Sequence, residues 1–320
     1  MKIVVTRTLP GCPETLLNRH FDDVSVHTGS RPMEKSALAA AVADCDVLLC
    51  TLSDTIDDSV LSQASRLKLI ITYSVGLDHL DLPGLSSRGI RLVNTPDVLT
   101  DATADLAWSL ILGCARRLKP AMQFLEEGKW NGFGPSLFLG IELRDKVLGI
   151  VGMGKIGKAV ARRGQAFGMN LLYVNASQTD VTDFPGAGRV PLEEVMRQSD
   201  VVSLHCPLTP KTKHLISRRE LNVMKPQAIL VNTARGAVID EEALTAHLRS
   251  HPEFFAGLDV FAKEPTVPEV LRHLPNALCL PHLGSATFVA REKMGKVCLE
   301  EAIRFAKGES LKHEYRIPKN

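Results

Sequence analysis

The stretch Val147-Leu-Gly-Ile-Val-Gly-Met-Gly-Lys-Ile-Gly-Lys158 decides the fold. It begins as an apolar run that is too short for a helix and is bounded by glycine, which indicates a buried parallel strand. Gly152, Gly154 and Gly157 follow in the spacing G-x-G-x-x-G, and a helical stretch and a second predicted strand, residues 170–174, come next. This order favours a dinucleotide site over an ordinary turn.

Each glycine has a separate task in such a site. Gly152 allows the tight turn, Gly154 lets the backbone approach a pyrophosphate, and Gly157 lets the helix pack against its strand. The free N–H groups and the dipole at the start of the helix favour negative charge. We therefore expect the pyrophosphate to bind at the N-terminus of the helix that follows the glycines.

Composition and charge are those of an ordinary globular protein. The 320 residues are enough for two domains, and a net charge of +2 offers no basic field for nucleic acid. The seven cysteines show no C-x-x-C and fall largely in apolar runs, which indicates reduced, mostly buried thiols. No run has the length of a signal peptide or a membrane span. We expect a cytoplasmic protein without a nucleic-acid partner, a membrane partner or a metal.

Strand-like and helix-like runs alternate along both halves of the chain. This alternation predicts an α/β fold with two doubly wound parallel sheets, Rossmann- and flavodoxin-like, and a cleft between the two domains. Pro96 breaks the rhythm, and an amphipathic helix from Thr287 onward returns to the first domain. We expect a discontinuous substrate domain, residues 1–98 and 286–320, and a dinucleotide-binding domain, residues 99–285.

Residues 119–145 form an aromatic-rich segment that contains Trp130, Phe133 and Phe138 among several glycines. We interpret the segment as irregular. Apolar aromatic side chains on a long excursion more often mark a subunit contact than a plain surface loop. The segment therefore predicts a homodimer.

Three loops that follow predicted strands carry an ionisable side chain, namely Arg235, Glu264 and His282. Ligands of doubly wound sheets bind at these strand ends. Arginine can hold a carboxylate in a bidentate fork and polarise a ketone. Histidine can give a proton to the developing alkoxide, and a neighbouring glutamate can orient it and stabilise its charge. Beside a dinucleotide, these groups fit hydride transfer to a 2-oxo acid.

The chain resembles the D-isomer-specific 2-hydroxyacid dehydrogenases over essentially its whole length. The resemblance is carried by Val-Gly-Met-Gly-Lys-Ile-Gly (151–157), Asn-Thr-Ala-Arg-Gly (232–236), Gly-Leu-Asp-Val-Phe-x-x-Glu-Pro (257–265) and Pro-His-Leu-Gly-Ser-Ala-Thr (281–287). The segments most similar to glyoxylate and hydroxypyruvate reductases are 73–79, 95–105 and 285–292. The resemblance implies reduction of a small 2-oxo acid to the D-2-hydroxy acid with NAD(P)H.

The resemblance also implies roles for single residues. It makes His282 the general acid, Glu264 its partner and Arg235 the substrate-binding cation. The backbone N–H groups of Val75 and Gly76 would bind the substrate carboxylate.

The remaining implied contacts are to substrate and cofactor. The further substrate contact is Ser285. The positions implied to bind the dinucleotide are Thr103, Gly152, Gly154, Lys155, Ile156, Gly157, Asn175, Ser177, Pro207, Thr233, Asp259 and Gly284. Among these, Asp259 is expected to accept a hydrogen bond from the carboxamide or an adjacent group.

The residue that ends the second strand of the dinucleotide unit distinguishes the two cofactors. NAD sites usually place an acid there, whereas NADP sites lack it and often add an arginine. The position is Asn175, 18 residues after Gly157. No acid repels a 2′-phosphate, and Asn175, Ser177 and Gln178 could hydrogen-bond it. We therefore expect NADP(H) to be preferred and NAD(H) to be tolerated.

Two alternatives stay open. Leu52, Tyr73 and residues 130–138 are expected to limit the substrate, and the chain lacks the tryptophan that some glyoxylate reductases carry near Leu137. A larger 2-oxo acid, such as a branched one or 2-ketogluconate, is the first alternative. A dinucleotide-sensing, corepressor-like binding protein is the second, although the chain lacks extended disordered tails. Formate dehydrogenases of this fold carry glutamine where Glu264 stands, which argues against that activity.

Overall fold

The computed structural model describes residues 1–318. The chain forms two compact units, of which unit 1 comprises Met1–Leu99 and the chain from Ala286 onward, and unit 2 comprises Thr100–Ser285. Each unit is built on one parallel sheet. The binding roles that the sequence assigns to the two domains stay predictions.

The first segment of unit 1 supplies a five-stranded sheet. In chain order its elements are β1 (Lys2–Val5), α1 (Glu14–Leu17), β2 (Asp23–Val26), α2 (Lys35–Val42), β3 (Val47–Cys50), α3 (Asp58–Leu61), β4 (Leu69–Thr72), α4 (Leu82–Ser87) and β5 (Arg91–Val93). The strand order is β2-β1-β3-β4-β5, and all neighbours are parallel. Every residue of β3 and β4 is buried, because both faces of a parallel sheet are covered.

Unit 2 carries a seven-stranded parallel sheet. Its elements are α5 (Thr100–Ala115), α6 (Leu118–Glu126), β6 (Val147–Val151), α7 (Lys155–Ala166), β7 (Asn170–Val174), β8 (Gly188–Arg189), α8 (Leu192–Gln198), β9 (Val201–Leu204), α9 (Arg218–Asn222), β10 (Ile229–Asn232), α10 (Glu241–Ser250), β11 (Phe255–Leu258), α11 (Glu269–His273) and β12 (Ala277–Cys279). The strand order is β12-β11-β10-β9-β6-β7-β8, so the winding reverses between β6 and β9. The carboxyl end of this reversal is where a doubly wound sheet binds its ligand.

Two apolar cores cover the two faces of the sheet of unit 2. Successive residues of β10 alternate between them: Ile229 and Val231 pack in one core with α5 and α7, and Leu230 packs in the other with residues of α8, α9 and α10. The predicted fold class, two doubly wound parallel α/β sheets, is confirmed.

The last helix, α12 (Phe288–Ala306), belongs to unit 1. Thr287 caps its N-terminus, since the hydroxyl of Thr287 accepts a hydrogen bond from the N–H of Ala290 at 3.1 Å. The buried side chains of Met294 and Cys298 pack in one core with residues of β1, β3 and β4. Helix α12 therefore completes a core of unit 1.

The segment 119–145 differs from the prediction. The whole segment is predicted to be irregular, which is wrong for residues 119–126, because they belong to the helix α6 (Leu118–Glu126). Pro120 lies in the first turn of α6, where backbone N–H groups make no hydrogen bond within the helix, so the missing N–H of proline costs nothing there. None of the residues of α6 is buried within this chain. A helix that does not pack against the core of its own chain is harder to predict from the sequence.

None of the helices formed by residues 1–318 has both the length and the apolar character needed to cross a bilayer. All seven cysteines are free, and six of them are buried. Within the described residues, no group of three or more histidine, cysteine or acidic side chains is placed to hold a metal ion.

Candidate active site

The glycine loop joins β6 to α7 at the reversal of the sheet. Gly152 has a φ of +99°, and a Cβ there would lie 2.7 Å from the backbone nitrogen of Cys206. A Cβ on Gly157 would overlap the carbonyl oxygen of Gly152. Gly154 is different, because a Cβ there would meet nothing within 4 Å. Contacts within the protein therefore explain why Gly152 and Gly157 are glycines. Gly154 has open space beside it, which fits the close approach of a bound group.

The N-terminus of α7 can bind an anion. No side chain caps it, whereas Ser217 caps α9 and Asp240 caps α10. Within residues 1–318 no hydrogen bond uses the N–H group of Ile156 or Gly157. Lys155, the first residue of α7, is exposed. These groups fit the pyrophosphate that the glycine spacing predicts.

Asn175 ties the end of β7 to the glycine loop. Its Oδ1 accepts a hydrogen bond from the N–H of Met153 at 3.0 Å, and its Nδ2 donates to the carbonyl oxygen of Ser177 at 3.0 Å. Ser177 and Gln178 are exposed. Both ends of the Asn175 side chain are thus used in holding the loop.

His282 and Glu264 form the central pair. The Nδ1 of His282 lies 2.7 Å from Oε2 of Glu264, and the other carboxylate oxygen accepts from the N–H of Phe261 at 3.0 Å. Burial favours the neutral carboxyl, but the hydrogen bond and charge of His282, together with the N–H of Phe261 and the charge of Arg235, outweigh burial and hold the pKa of Glu264 below its usual value. Both side chains are partly exposed, at 25% and 30%, so a ligand can reach them.

Arg235 lies beside this pair. The buried Asn232 shapes its loop, because Oδ1 accepts from the N–H of Ala234 at 3.0 Å and Nδ2 donates to the carbonyl oxygen of Arg235 at 2.9 Å. A Cβ on Gly236 would overlap the carbonyl carbon of Phe261, so the loops after β10 and β11 are in contact there. The charge of Arg235 contributes to the lowered pKa of Glu264. The structure therefore brings the three predicted ionisable side chains together.

Asp259 and Thr103 hold the loop that carries His282. The carboxylate of Asp259 accepts hydrogen bonds from the N–H groups of Leu283 at 2.6 Å and Gly284 at 2.8 Å. The hydroxyl of Thr103 donates to the carbonyl oxygen of Gly284 at 3.1 Å. Burial raises the pKa of Asp259 to about 6, against the effect of the two N–H donors. Both side chains are buried and act on the loop directly.

The other predicted cofactor contacts lie at neighbouring strand ends. The hydroxyl oxygen of Thr233 is buried and finds no hydrogen-bond partner among residues 1–318. A buried hydroxyl usually has one, so a ligand with a polar group beside Thr233 fits this position. Pro207 is exposed, and its carbonyl oxygen accepts from Thr212 Oγ1 at 2.6 Å. Ser285 is half-buried, at the end of unit 2.

Val75 and Gly76 belong to unit 1, in the loop after β4. The carbonyl oxygen of Val75 accepts from Asn94 Nδ2 at 3.0 Å, and that of Gly76 accepts from the hydroxyl of Ser74 at 2.7 Å. Within residues 1–318 neither N–H group of the pair makes a hydrogen bond. The loop is therefore held through its carbonyl groups, and its N–H groups can receive an anion.

Sequence reasoning missed Asn232, which shapes the loop of Arg235, and the N–H of Phe261, which holds Glu264. A usable signal for Asn232 is its place as the last residue of an otherwise apolar buried strand. A polar side chain buried at such a position requires hydrogen-bond partners, and the adjoining loop supplies them. The N–H of Phe261 leaves no signal in the sequence.

Comparison with known proteins places this geometry in a family. Residues 108–284 match the family described as "D-isomer specific 2-hydroxyacid dehydrogenase, NAD binding domain". The glyoxylate reductase of Thermococcus gammatolerans is 44% identical over 313 residues, which cover 96% of this chain and 93% of that protein. The chain belongs to the D-isomer-specific 2-hydroxyacid dehydrogenase family.

Solved structures agree with this assignment. A protein from Thermus thermophilus is 43% identical, with a TM-score of 0.90 over 99% of this chain and 100% of that one. An acyclic imino acid reductase, in complex with NADPH and D-arginine, is 27% identical, with a TM-score of 0.86 over 99% of this chain and 100% of that one. Both have the architecture of this dehydrogenase over its full length.

The predicted resemblance is confirmed, and so is the predicted class of reaction. The chain is an oxidoreductase that uses a nicotinamide dinucleotide, and its family acts on small 2-hydroxy and 2-oxo acids. Neither alternative, a sensing protein or a reductase for a larger 2-oxo acid, is favoured by these relatives.

Proposed function

We propose that this dehydrogenase reduces glyoxylate, and hydroxypyruvate to the D-2-hydroxy acid, with NADPH preferred over NADH. The observation that carries the proposal is the pair of His282 and Glu264, joined at 2.7 Å, with the charge of Arg235 beside it. All three lie in the unit that carries the glycine loop. The name of the Thermococcus gammatolerans relative supports glyoxylate as the substrate.

His282 acts as the general acid. Glu264 accepts a hydrogen bond from Nδ1, which leaves Nε2 to hold the proton that the reduced carbonyl oxygen takes up. The bound dinucleotide supplies a hydride to the carbonyl carbon. The anionic Glu264 stabilises the protonated imidazole before the transfer and fixes its orientation.

Arg235 binds the substrate carboxylate and polarises the ketone. A guanidinium offers two parallel N–H donors to a carboxylate, which gives both binding energy and orientation. The N–H groups of Val75 and Gly76, which make no hydrogen bond within residues 1–318, are donors for a substrate carboxylate, and Ser285 is a further contact. These roles make unit 1 the substrate domain and unit 2 the dinucleotide domain.

The preference for NADPH rests on the end of β7. Asn175 replaces the acid that would hold the ribose hydroxyls of NAD and would repel a 2′-phosphate. One structural relative is in complex with NADPH and another with NAD, so the proposed preference rests on Asn175. The residues that would hold the dinucleotide are those of the glycine loop, the start of α7 and the strand-end loops at Pro207 and Thr233.

Steady-state kinetics tests the proposal. NADPH and NADH oxidation is measured with glyoxylate, hydroxypyruvate, pyruvate, a branched 2-oxo acid and 2-ketogluconate. We expect the highest kcat/KM with glyoxylate or hydroxypyruvate and NADPH, and loss of turnover in His282→Ala. His273→Ala, on the exposed face of α11, is the matched control and should keep full activity. If the folded protein does not turn over glyoxylate or hydroxypyruvate, the proposed substrate is wrong. If kcat/KM is higher with NADH than with NADPH, the proposed cofactor preference is wrong.

We also infer that the protein is a homodimer joined through α6 and the segment that follows it. Several apolar side chains there are exposed, and Phe133 is 92% exposed. The others are Leu118, Met122, Leu125, Trp130, Leu137 and Leu139. Contiguous exposed apolar surface of this kind marks subunit contacts. Sedimentation velocity should give a dimer that Phe133→Ser with Leu125→Glu converts to a monomer, while Val270→Ser, on exposed α11, stays dimeric.

We further infer that the protein works in the cytoplasm. All seven thiols are free, as a reducing compartment favours. Thiol titration of the denatured protein, isolated from cells under alkylating conditions, should give seven free thiols. A disulfide in that material would contradict the assignment.

A further inference from the structure

We propose that Arg189 binds the 2′-phosphate of NADP(H) and is the main determinant of the preference between the two dinucleotides. The inference rests on the proposed function, since it requires a dinucleotide at the glycine loop. Its experiment is chosen so that the two can fail separately.

Arg189 lies at the ribose end of the predicted dinucleotide site. It belongs to β8 and is paired in register with Tyr173 of β7, two residues before Asn175. Its Nη2 donates a hydrogen bond to the carbonyl oxygen of Asn175 at 3.1 Å. Asn175 in turn accepts from Met153 in the glycine loop. The guanidinium is thus anchored to the residue that stands where NAD sites carry their acid.

The guanidinium of Arg189 also has no counter-ion. It is exposed, and within residues 1–318 no carboxylate oxygen lies within 4.0 Å of it. Neighbouring arginines each face a carboxylate: Arg162 faces Asp183 at 3.8 Å, Arg163 faces Asp105 at 2.7 Å, and Arg197 faces Glu194. The bond to Asn175 uses one of the five N–H donors of Arg189. The rest can bind an incoming phosphate.

The three residues that the sequence predicts to hydrogen-bond the 2′-phosphate, Asn175, Ser177 and Gln178, are neutral. The Asn175 amide already donates to Ser177, and Ser177 and Gln178 offer only uncharged donors. A hydrogen bond between arginine and phosphate is about twice as strong as a neutral one. The acids of the connection from β7 to β8 are engaged elsewhere, since Asp180 accepts from Thr182, and Asp183 faces Arg162. Arg189 is therefore a charged group, anchored at Asn175 and without a carboxylate partner among residues 1–318, that the phosphate can use.

Ligand binding by calorimetry tests the inference without turnover. The ligands are adenosine 2′,5′-bisphosphate, 5′-AMP, NADPH and NADH, and the variants are Arg189→Met, Arg189→Lys and the control Arg162→Met. We expect Arg189→Met to weaken binding of the two ligands with a 2′-phosphate by roughly 10- to 100-fold. Binding of 5′-AMP and NADH should change by less than about threefold. Arg189→Lys should keep part of the discrimination, and Arg162→Met should keep all of it.

The outcomes separate the two proposals. Equal weakening of all four ligands, or no change, in Arg189→Met would overturn the role of Arg189 while glyoxylate reduction with NADPH stands. A wild-type protein that binds NADH more tightly than NADPH would overturn both the preference and the role. Melting temperatures of the variants check that the exposed edge strand keeps its fold.

Discussion

Asp259 Oδ2 accepts a hydrogen bond from the N–H of Gly284 at 2.8 Å. Its Oδ1 accepts from Leu283, so one buried carboxylate holds two successive residues of the loop that carries His282. Asp259→Asn would keep one acceptor and turn an NH2 group against an N–H donor. We expect kcat to fall roughly 10- to 100-fold and the free energy of unfolding by about 1–3 kcal/mol. Steady-state kinetics and urea denaturation measure the two effects.

The matched control is Asp240→Asn, which makes the same chemical change at the start of α10. Asp240 accepts from the N–H of Ala243 at 3.0 Å, and asparagine caps helices about as well as aspartate. Both kcat and stability should stay close to wild type. An unchanged kcat in Asp259→Asn would show that the loop of His282 keeps its position without the carboxylate.

The pair of Glu264 and His282 should set the pH dependence of reduction. The lowered pKa of Glu264 keeps it ionised at neutral pH, where its charge favours the protonated imidazole that reduction consumes. Glu264→Gln removes this charge, so the alkaline limb of the kcat/KM profile for glyoxylate reduction should move to lower pH by roughly one unit. Glu269→Gln, in the exposed pair of Glu269 and His273, should leave the profile in place. An unmoved limb in Glu264→Gln would remove Glu264 from this role.

Two glycine substitutions should separate folding from cofactor binding. A Cβ on Gly154 meets nothing within 4 Å, so Gly154→Ala should melt like wild type yet weaken dinucleotide binding at least about tenfold. A Cβ on Gly236 would overlap backbone atoms of Phe261, so Gly236→Ala should lower both the melting temperature and kcat. Calorimetry and thermal melts read out the difference. A destabilised Gly154→Ala with normal dinucleotide affinity would contradict the assignment.

His205 should make the protein sensitive to acid. Burial lowers its pKa from 6.5 to about 3. As the pH falls from 6.5 towards 3, the unfolded chain takes up a proton that the folded protein excludes, so stability is lost over this window. The slope from this residue is at most about 1.4 kcal/mol per pH unit. His205→Gln should flatten the curve of unfolding free energy against pH, whereas the exposed His273→Gln should not.

Most strands of both sheets could be predicted, because the central strands of a parallel sheet are buried on both faces. Val47–Cys50, for example, appears in the sequence as an unbroken apolar run between polar residues. The two-residue strand Gly188–Arg189 has no such run, and only its pairing with Leu172 and Tyr173 defines it. The helix Leu118–Glu126 escaped prediction because its apolar face is not buried within this chain.

The ionisable side chains of the site could be found because each lies in the loop that follows a strand, and ligands of doubly wound sheets bind at these strand ends. What Asn232 and Asp259 do could not be found in this way. Their partners are backbone N–H and carbonyl groups, which every residue carries, and only the loop conformations decide which of them meet.

The position of α12 in unit 1 has a consequence for synthesis of the chain. Met294 and Cys298 complete a core that also contains Ile3 and Val47, so the chain must be made at least as far as residue 298 and leave the ribosome before that core can close. Unit 2 lies entirely within Thr100–Ser285 and has all its strands earlier. Every strand of unit 2 is therefore made before the helix that completes the core around the first strands, so unit 2 can fold while unit 1 still lacks α12.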